Sequence, residues 1–412
     1  MAGIPFKCPA CHQKAGEIPP YGLHREELGS VMLFPRTIKP LVLHTMRFGS
    51  DSAYSRDMLQ IHFNEEFRQF PEDLIVFDTM LTRGQRAYID LRRARSKVLK
   101  LLAGRIDLNY LLLIDSHSDE DTGHICFGRD MQDEAETAPV KEVIDHFTGP
   151  IAKRVEGMNG LKGLVLLTCG TTMKRQDQFQ ELRRMVERRV LRDPFAFCAL
   201  TNNPVSHRSQ FDFVLGFVTE SVVPSSVMIA ILSFARRVYV TGKPGHIRST
   251  FLDTFGAQSP GALTPTILIV REAPPPPPRP IPAAKKTMAT APAPPEPAQA
   301  TEAVVSSWMV RYGLPSRPWG FPPPWCPMET CVGVHKELLP TMRRSSDGAS
   351  WVRFKCVSCK RQCSWIPRPD WLRQCHTAPL SWYHEYPLPE GRKSFLDAIV
   401  EAEWPSLTPP QQ

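Results

Sequence analysis

The chain contains no run of 18 apolar residues, so no membrane-spanning helix is expected. Its start, Met1 to Cys8, has no apolar h-region, so no secretory signal is expected either. Neither sign of charge is in large excess. Fifty Lys and Arg against 42 Asp and Glu leave a net +8, a mild basicity compatible with an acidic partner. No internal repeat is visible. Proline, by contrast, is abundant: 41 of 412 residues, about twice the usual share. That content excludes a helical bundle or coiled coil as the architecture of the whole chain. Hydrophobic residues at 42% and charged residues at 22% support packed cores in two or three domains.

Eleven cysteines are present, and most fall in short pairs. Without an export signal, such spacing points to metal binding, not disulfides. The expected compartment is intracellular, cytoplasmic or nuclear, where thiols stay reduced.

Composition divides the chain. Residues 271–303 are Pro/Ala-rich, with Pro274 to Pro278 in one run. Such a segment favours extended polyproline II and reads as a disordered linker. It separates residues 38–270 from a Cys/Trp-rich region at 304–412. Residues 1–37 form an N-terminal segment. Within it Cys8-Pro9-Ala10-Cys11-His12 reads as one half of a zinc knuckle without a second pair nearby, with His12 and His24 as local partners: a half-site completed by another chain, or a remnant.

Residues 38–270 alternate between strand and helix patterns. Apolar runs at Leu41 to Leu43, Leu74 to Phe77, Tyr110 to Ile114, Leu164 to Leu167, Phe195 to Leu200, Val238 to Val240 and Thr266 to Val270 read as strands. Helical patterns occupy 54–68, 84–104, 138–155, a stretch marked by Phe179, Leu182, Val186 and Val190, and 227–234. Arg92, Arg93, Arg95, Lys97 and Lys100 read as a solvated helix surface. The alternation predicts an α/β fold with a mainly parallel sheet flanked by helices.

In open parallel sheets, chemistry gathers beyond the carboxyl ends of the strands. His117 follows the run ending at Ile114, and Cys169 follows the run ending at Leu167. Right-handed crossovers leave both on the same sheet edge. An imidazole near a thiol lowers its pKa or takes its proton, making a nucleophile. Cys126 and Cys198 have no such placement and read as packing residues. His124 is a second candidate base, further from its strand end.

The blocks "LLLIDSHSDEDTGHICFG" and "GLVLLTCGTT" resemble the caspase-like cysteine peptidases, including the CHAT branch, over roughly residues 38–270. The resemblance implies a caspase-hemoglobinase fold, His117 as general base and Cys169 as nucleophile. It also implies an oxyanion hole made by the backbone N–H groups of Cys169 and of the residue after His117. One departure is Ser118, where the family has Gly; a side chain there is expected to alter the oxyanion-hole backbone. Asp115 and Asp119 flank the histidine and read either as orienting groups or as solvated loop carboxylates. Asp115-x-His117-x-Asp119 also resembles the D-x-H-x-D metal motif of ureohydrolases, but the further Asp and His motifs of those enzymes are missing.

In the C-terminal region Cys326-x4-Cys331 is followed 25 residues later by Cys356-x2-Cys359. Two Cys pairs around a two-stranded insert resemble a zinc ribbon, with Zn²⁺ in a structural four-thiolate site. Ser345 to Gly348 reads as the turn and Trp351 to Phe354 as a strand. Trp325, Trp351 and Trp365 are expected to cover the small core. Cys363, Cys375, His376 and His335 are alternative ligands. Residues 351–376 hold six Lys or Arg and one acid, Asp370. Basic charge interleaved with aromatics fits a nucleic-acid partner; otherwise the metal simply stands in for a core.

The leading expectation is therefore a cysteine peptidase acting on a peptide or protein substrate and carrying a zinc module, with no membrane partner. The alternative is an inactive caspase-like scaffold whose zinc module binds protein or nucleic acid.

Overall fold

A computed structural model describes residues 38–405 apart from 49–52, 83–84, 130–131, 133, 188–209, 220–221, 242–245, 258–263, 273–303, 332–336, 347 and 377. The half knuckle at Cys8 and Cys11, the strand expected at Phe195 to Leu200, Cys198, His335 and the Pro/Ala segment from 273 lie outside the described residues.

The chain runs β1 (Leu41–Phe48), α1 (Tyr54–Glu66), β2 (Leu74–Leu81), α2 (Gln85–Leu101) and β3 (Asn109–Asp115). A hairpin follows, β4 (Ile125–Arg129) with β5 (Ala135–Ala138), and then α3 (Val140–Glu156) and β6 (Lys162–Leu167). Next come α4 (Thr171–Lys174), α5 (Gln176–Val186), β7 (Phe213–Phe217), α6 (Pro224–Arg236), α7 (Ile247–Ala257) and β8 (Thr266–Glu272). The remaining elements are β9 (Val304–Tyr312), β10 (Leu338–Arg344), β11 (Ser350–Cys356), β12 (Ile366–Pro367), β13 (Arg373–Cys375), β14 (Ala378–Glu385) and α8 (Phe395–Glu401).

Nine strands form one mixed sheet in the order β13-β14-β9-β8-β7-β6-β3-β1-β2. The pairings from β2 through β7 are parallel. Those from β7 through β13 are antiparallel. The α/β class with a parallel centre and flanking helices matches the sequence pattern. The central strands are buried on both faces, which explains their continuous apolar runs. Alternate residues (Val42, Met46, Tyr110, Leu112, Ile114, Leu164 and Leu166) share one core with Val98 of α2, Ile144 and Phe147 of α3, and Phe179 and Leu182 of α5. On the other side α1 packs on α6.

Two expectations change. Val238 to Val240 is not a strand; Arg237–Thr241 is a wide helical turn that prolongs α6. Its Tyr239 hydroxyl donates to the Tyr110 carbonyl at 3.0 Å inside the core. That long-range contact overrides the β preference of the two valines. The sheet also continues past the Pro/Ala segment. β9 pairs with β8 over seven residue pairs, and Arg271 and Glu272, expected in the linker, belong to β8. Residues from 304 onward thus supply three strands of the main sheet as well as the small sheet β10-β11-β12.

Candidate active site and metal centre

β3 and β6 are hydrogen-bonded neighbours running parallel, with Asp115 opposite Leu167. His117 and Cys169 each lie two residues beyond that last pair. They therefore leave adjacent strand ends at equivalent positions, on strands about 4.8 Å apart. The two loops are stitched together twice. The Ser118 hydroxyl donates to the Cys169 carbonyl at 2.8 Å, and the Thr172 hydroxyl donates to the Gly123 carbonyl at 2.9 Å. His117 is exposed and Cys169 half-buried, so both are open to a ligand. Phe48, at the end of the next strand over, sets its ring at an angle of 80° to the His117 ring, 6.1 Å between centroids.

Ser118 occupies this turn without a positive φ. Among the described non-glycine residues only Trp319 and Lys360 have a positive φ, so residue 118 needs no glycine. Its buried side chain acts as the clamp. Among the described residues, neither the Ser118 nor the Cys169 backbone N–H donates to any protein acceptor. Gly170 is required for a different reason. A Cβ there would sit 2.2 Å from the Thr219 nitrogen, while its own N–H donates to the Thr219 carbonyl. Glycine after the cysteine thus lets the loop press against the end of β7.

The acids beside the histidine differ. Burial pushes the Asp115 carboxyl up, opposed by a bond with Ser55 and by the His117 and Arg47 charges. Asp119 is held below the usual carboxylate range by the Thr122 hydroxyl and N–H, which it accepts at 2.6 and 2.7 Å. Its carboxylate is thus committed to its own turn, not to orienting His117. Cys126 is buried, and burial pushes its thiol up, with Asp119 and Cys169 adding to the effect. Cys126 packs as expected. His124 lies on the far limb of the loop, half-buried.

Among the described residues the metal-capable cluster is Cys326, Cys331, Cys356 and Cys359, whose sulfurs all lie within 4.8 Å of one another. Asp115, His117 and Asp119 form no such group, which removes the ureohydrolase-like arrangement. The sulfur pairs Cys326–Cys359 and Cys331–Cys356 are 3.9 and 3.7 Å apart. Four sulfurs bound tetrahedrally at about 2.3 Å from a zinc ion would be about 3.8 Å apart. Disulfide sulfurs would be about 2 Å apart. Burial pushes the Cys326 thiol up to about 12. At Cys356 burial acts the same way but is outweighed by the N–H groups of Cys359 and Ser358 and the thiols of Cys359 and Cys331. These hold it down to about 7.

The local fold explains the convergence. The hairpin β10–β11, turned at Ser345 to Gly348 (φ +82°), returns Cys356 towards Cys331. Lys360 takes φ +60°, and the Cys359 N–H points at the Cys356 sulfur, 3.5 Å away. The alternative ligands go elsewhere. Cys363 accepts the Phe354 N–H at 3.0 Å, Cys375 packs beside Gly256, and His376 is exposed.

The core under the cysteine cluster differs from expectation. Trp325 is 68% exposed. Trp365 is only half-buried, and so is Trp351, because β11 turns Val352, Phe354 and Cys356 inward and the odd residues outward. Trp319 and Trp382 fill the core instead, with Phe321, Phe354, Phe395 and Ile399. Trp382 belongs to β14, so the lobe around the cysteine cluster and the main sheet share packing. The signal for α8 was readable: Ser394 and Asp397 form a reciprocal capping box at its start.

No known protein family matches this chain. No curated protein matches it either. No described helix is long and apolar enough to cross a membrane.

Proposed function

We propose that the protein is a caspase-like cysteine peptidase carrying a structural zinc site. The carrying observation is the in-register delivery of His117 and Cys169 from neighbouring parallel strands, locked by the Ser118–Cys169 bond. His117 takes the thiol proton, and the Cys169 sulfur attacks the scissile carbonyl carbon of a peptide or protein substrate. The Ser118 and Cys169 N–H groups, which have no other protein acceptor among the described residues, face the developing oxyanion. Collapse breaks the C–N bond, and His117 returns the proton to the leaving amine. Water, deprotonated by His117, then attacks the thioester and releases the acid and the free thiol.

Zn²⁺ on Cys326, Cys331, Cys356 and Cys359 holds the C-terminal lobe together. An intracellular setting, cytoplasmic or nuclear, keeps both sets of thiols reduced.

The test is covalent labelling with a peptidyl thiol-directed electrophile, read by mass spectrometry. Modification of Cys169 that slows at least tenfold in His117→Ala is expected. Labelling of Cys169 at the same rate without the imidazole would sink the reading. It would leave the scaffold alternative, in which the same fold only presents partners.

A further inference from the structure

The outward face of the β10–β11 hairpin has a one-sided composition. Cross-strand pairs Leu339–Lys355, Thr341–Arg353 and Arg343–Trp351 point away from the cysteine core. β10 and β11 contain no acidic residue; Glu337 precedes β10, and Asp347 is the one acid in the sequence joining the two strands. Arg343 and Lys355 are exposed. Among the described residues neither they nor Arg353 form an ion pair with a carboxylate. The Arg353 guanidinium lies over the Trp365 ring, 4.6 Å from its centroid, and its buried Nε has no acceptor among the described residues. Trp351, half-buried beside Arg343, stacks on no other ring among the described residues.

We propose that this face binds single-stranded nucleic acid. Arg343, Arg353 and Lys355 span about 13 Å along the strands and would contact successive phosphates. Trp351 offers a free indole on which a base can stack, which duplex DNA cannot exploit and an acidic peptide does not need. Charge complementarity selects a polyanion, and the indole selects one with exposed bases. The surface rests on the metal-stabilised hairpin and is independent of Cys169 and His117.

Titration of the full chain with fluorescent oligo(U) tests this, with duplex DNA and polyglutamate as competitors. Arg343→Ala/Arg353→Ala/Lys355→Ala should weaken binding at least tenfold. It should also flatten the slope of log affinity against log salt by about 2, at about 0.7 per phosphate contact for single strands. Trp351→Ala should cost about tenfold with little change in that slope. The controls are unchanged metal content in every variant and unchanged binding in Lys97→Ala/Lys100→Ala on α2. Binding unaltered by the triple variant overturns the proposal. So does polyglutamate or duplex DNA competing as well as oligo(U).

Discussion

The Ser118 hydroxyl donates to the Cys169 carbonyl across two adjacent strand ends, at 2.8 Å. The side chain that follows the histidine thus ties its turn to the cysteine loop. Ser118→Ala should cost about 1 kcal/mol of stability and slow electrophile labelling of Cys169. Thermal melting and labelling kinetics on the same preparation separate the two effects. Ser118→Gly should behave no better than Ala, since the turn needs the hydroxyl and not the glycine φ.

Gly170 sets a second constraint on the same loop. With a Cβ only 2.2 Å from the Thr219 nitrogen, Gly170→Ala must push the loop off β7. A loss of about 1–3 kcal/mol is expected, measured by urea denaturation.

The metal centre makes a sharper prediction. The purified protein should carry one zinc more per chain than Cys356→Ser, read by elemental analysis of the two proteins. Cys363→Ser should keep its zinc, because that sulfur accepts the Phe354 N–H and stands outside the cluster. Chelation should unfold the lobe, seen as a rise in the exposure of Trp319 and Trp382 to a fluorescence quencher.

Much of this was legible in the sequence because it rests on local periodicity. Strands buried on both faces announce themselves as apolar runs such as Tyr110 to Ile114, and the spacing of the Cys pairs announces the four-cysteine cluster. What was illegible depends on long-range contacts. Tyr239 reads as part of a strand until its hydroxyl is seen reaching Tyr110. β9 could not be assigned to the main sheet, because its partner β8 lies across a Pro/Ala tract that composition reads as a boundary, and β14 joins the sheet only through β9. Trp351 reads as core until the phase of β11 is known. A one-residue shift in a strand exchanges inside for outside.

A buried histidine gives the protein an acid sensitivity. Burial, reinforced by the Arg311 guanidinium and opposed by the Glu385 carbonyl, lowers His384 to about 4. Its Nε2 accepts from Arg311 at 3.4 Å, so the folded state keeps it neutral. The unfolded chain takes up the proton near pH 6.5, so stability is present above that value and declines as pH falls towards 4. His384 alone should account for a loss of about 2 kcal/mol between pH 7 and pH 5. Urea midpoints at the two pH values, compared with His384→Gln, should show a smaller difference in the variant.

The antiparallel seam between β8 and β9 has one more implication. Expressed alone, residues 39–272 and 304–405 would each present a raw strand edge, the kind that recruits stray chains into aggregates. Produced together, the two pieces carry complementary edges and should reassemble by strand addition, making the seam a natural place to split the molecule into a reporter pair.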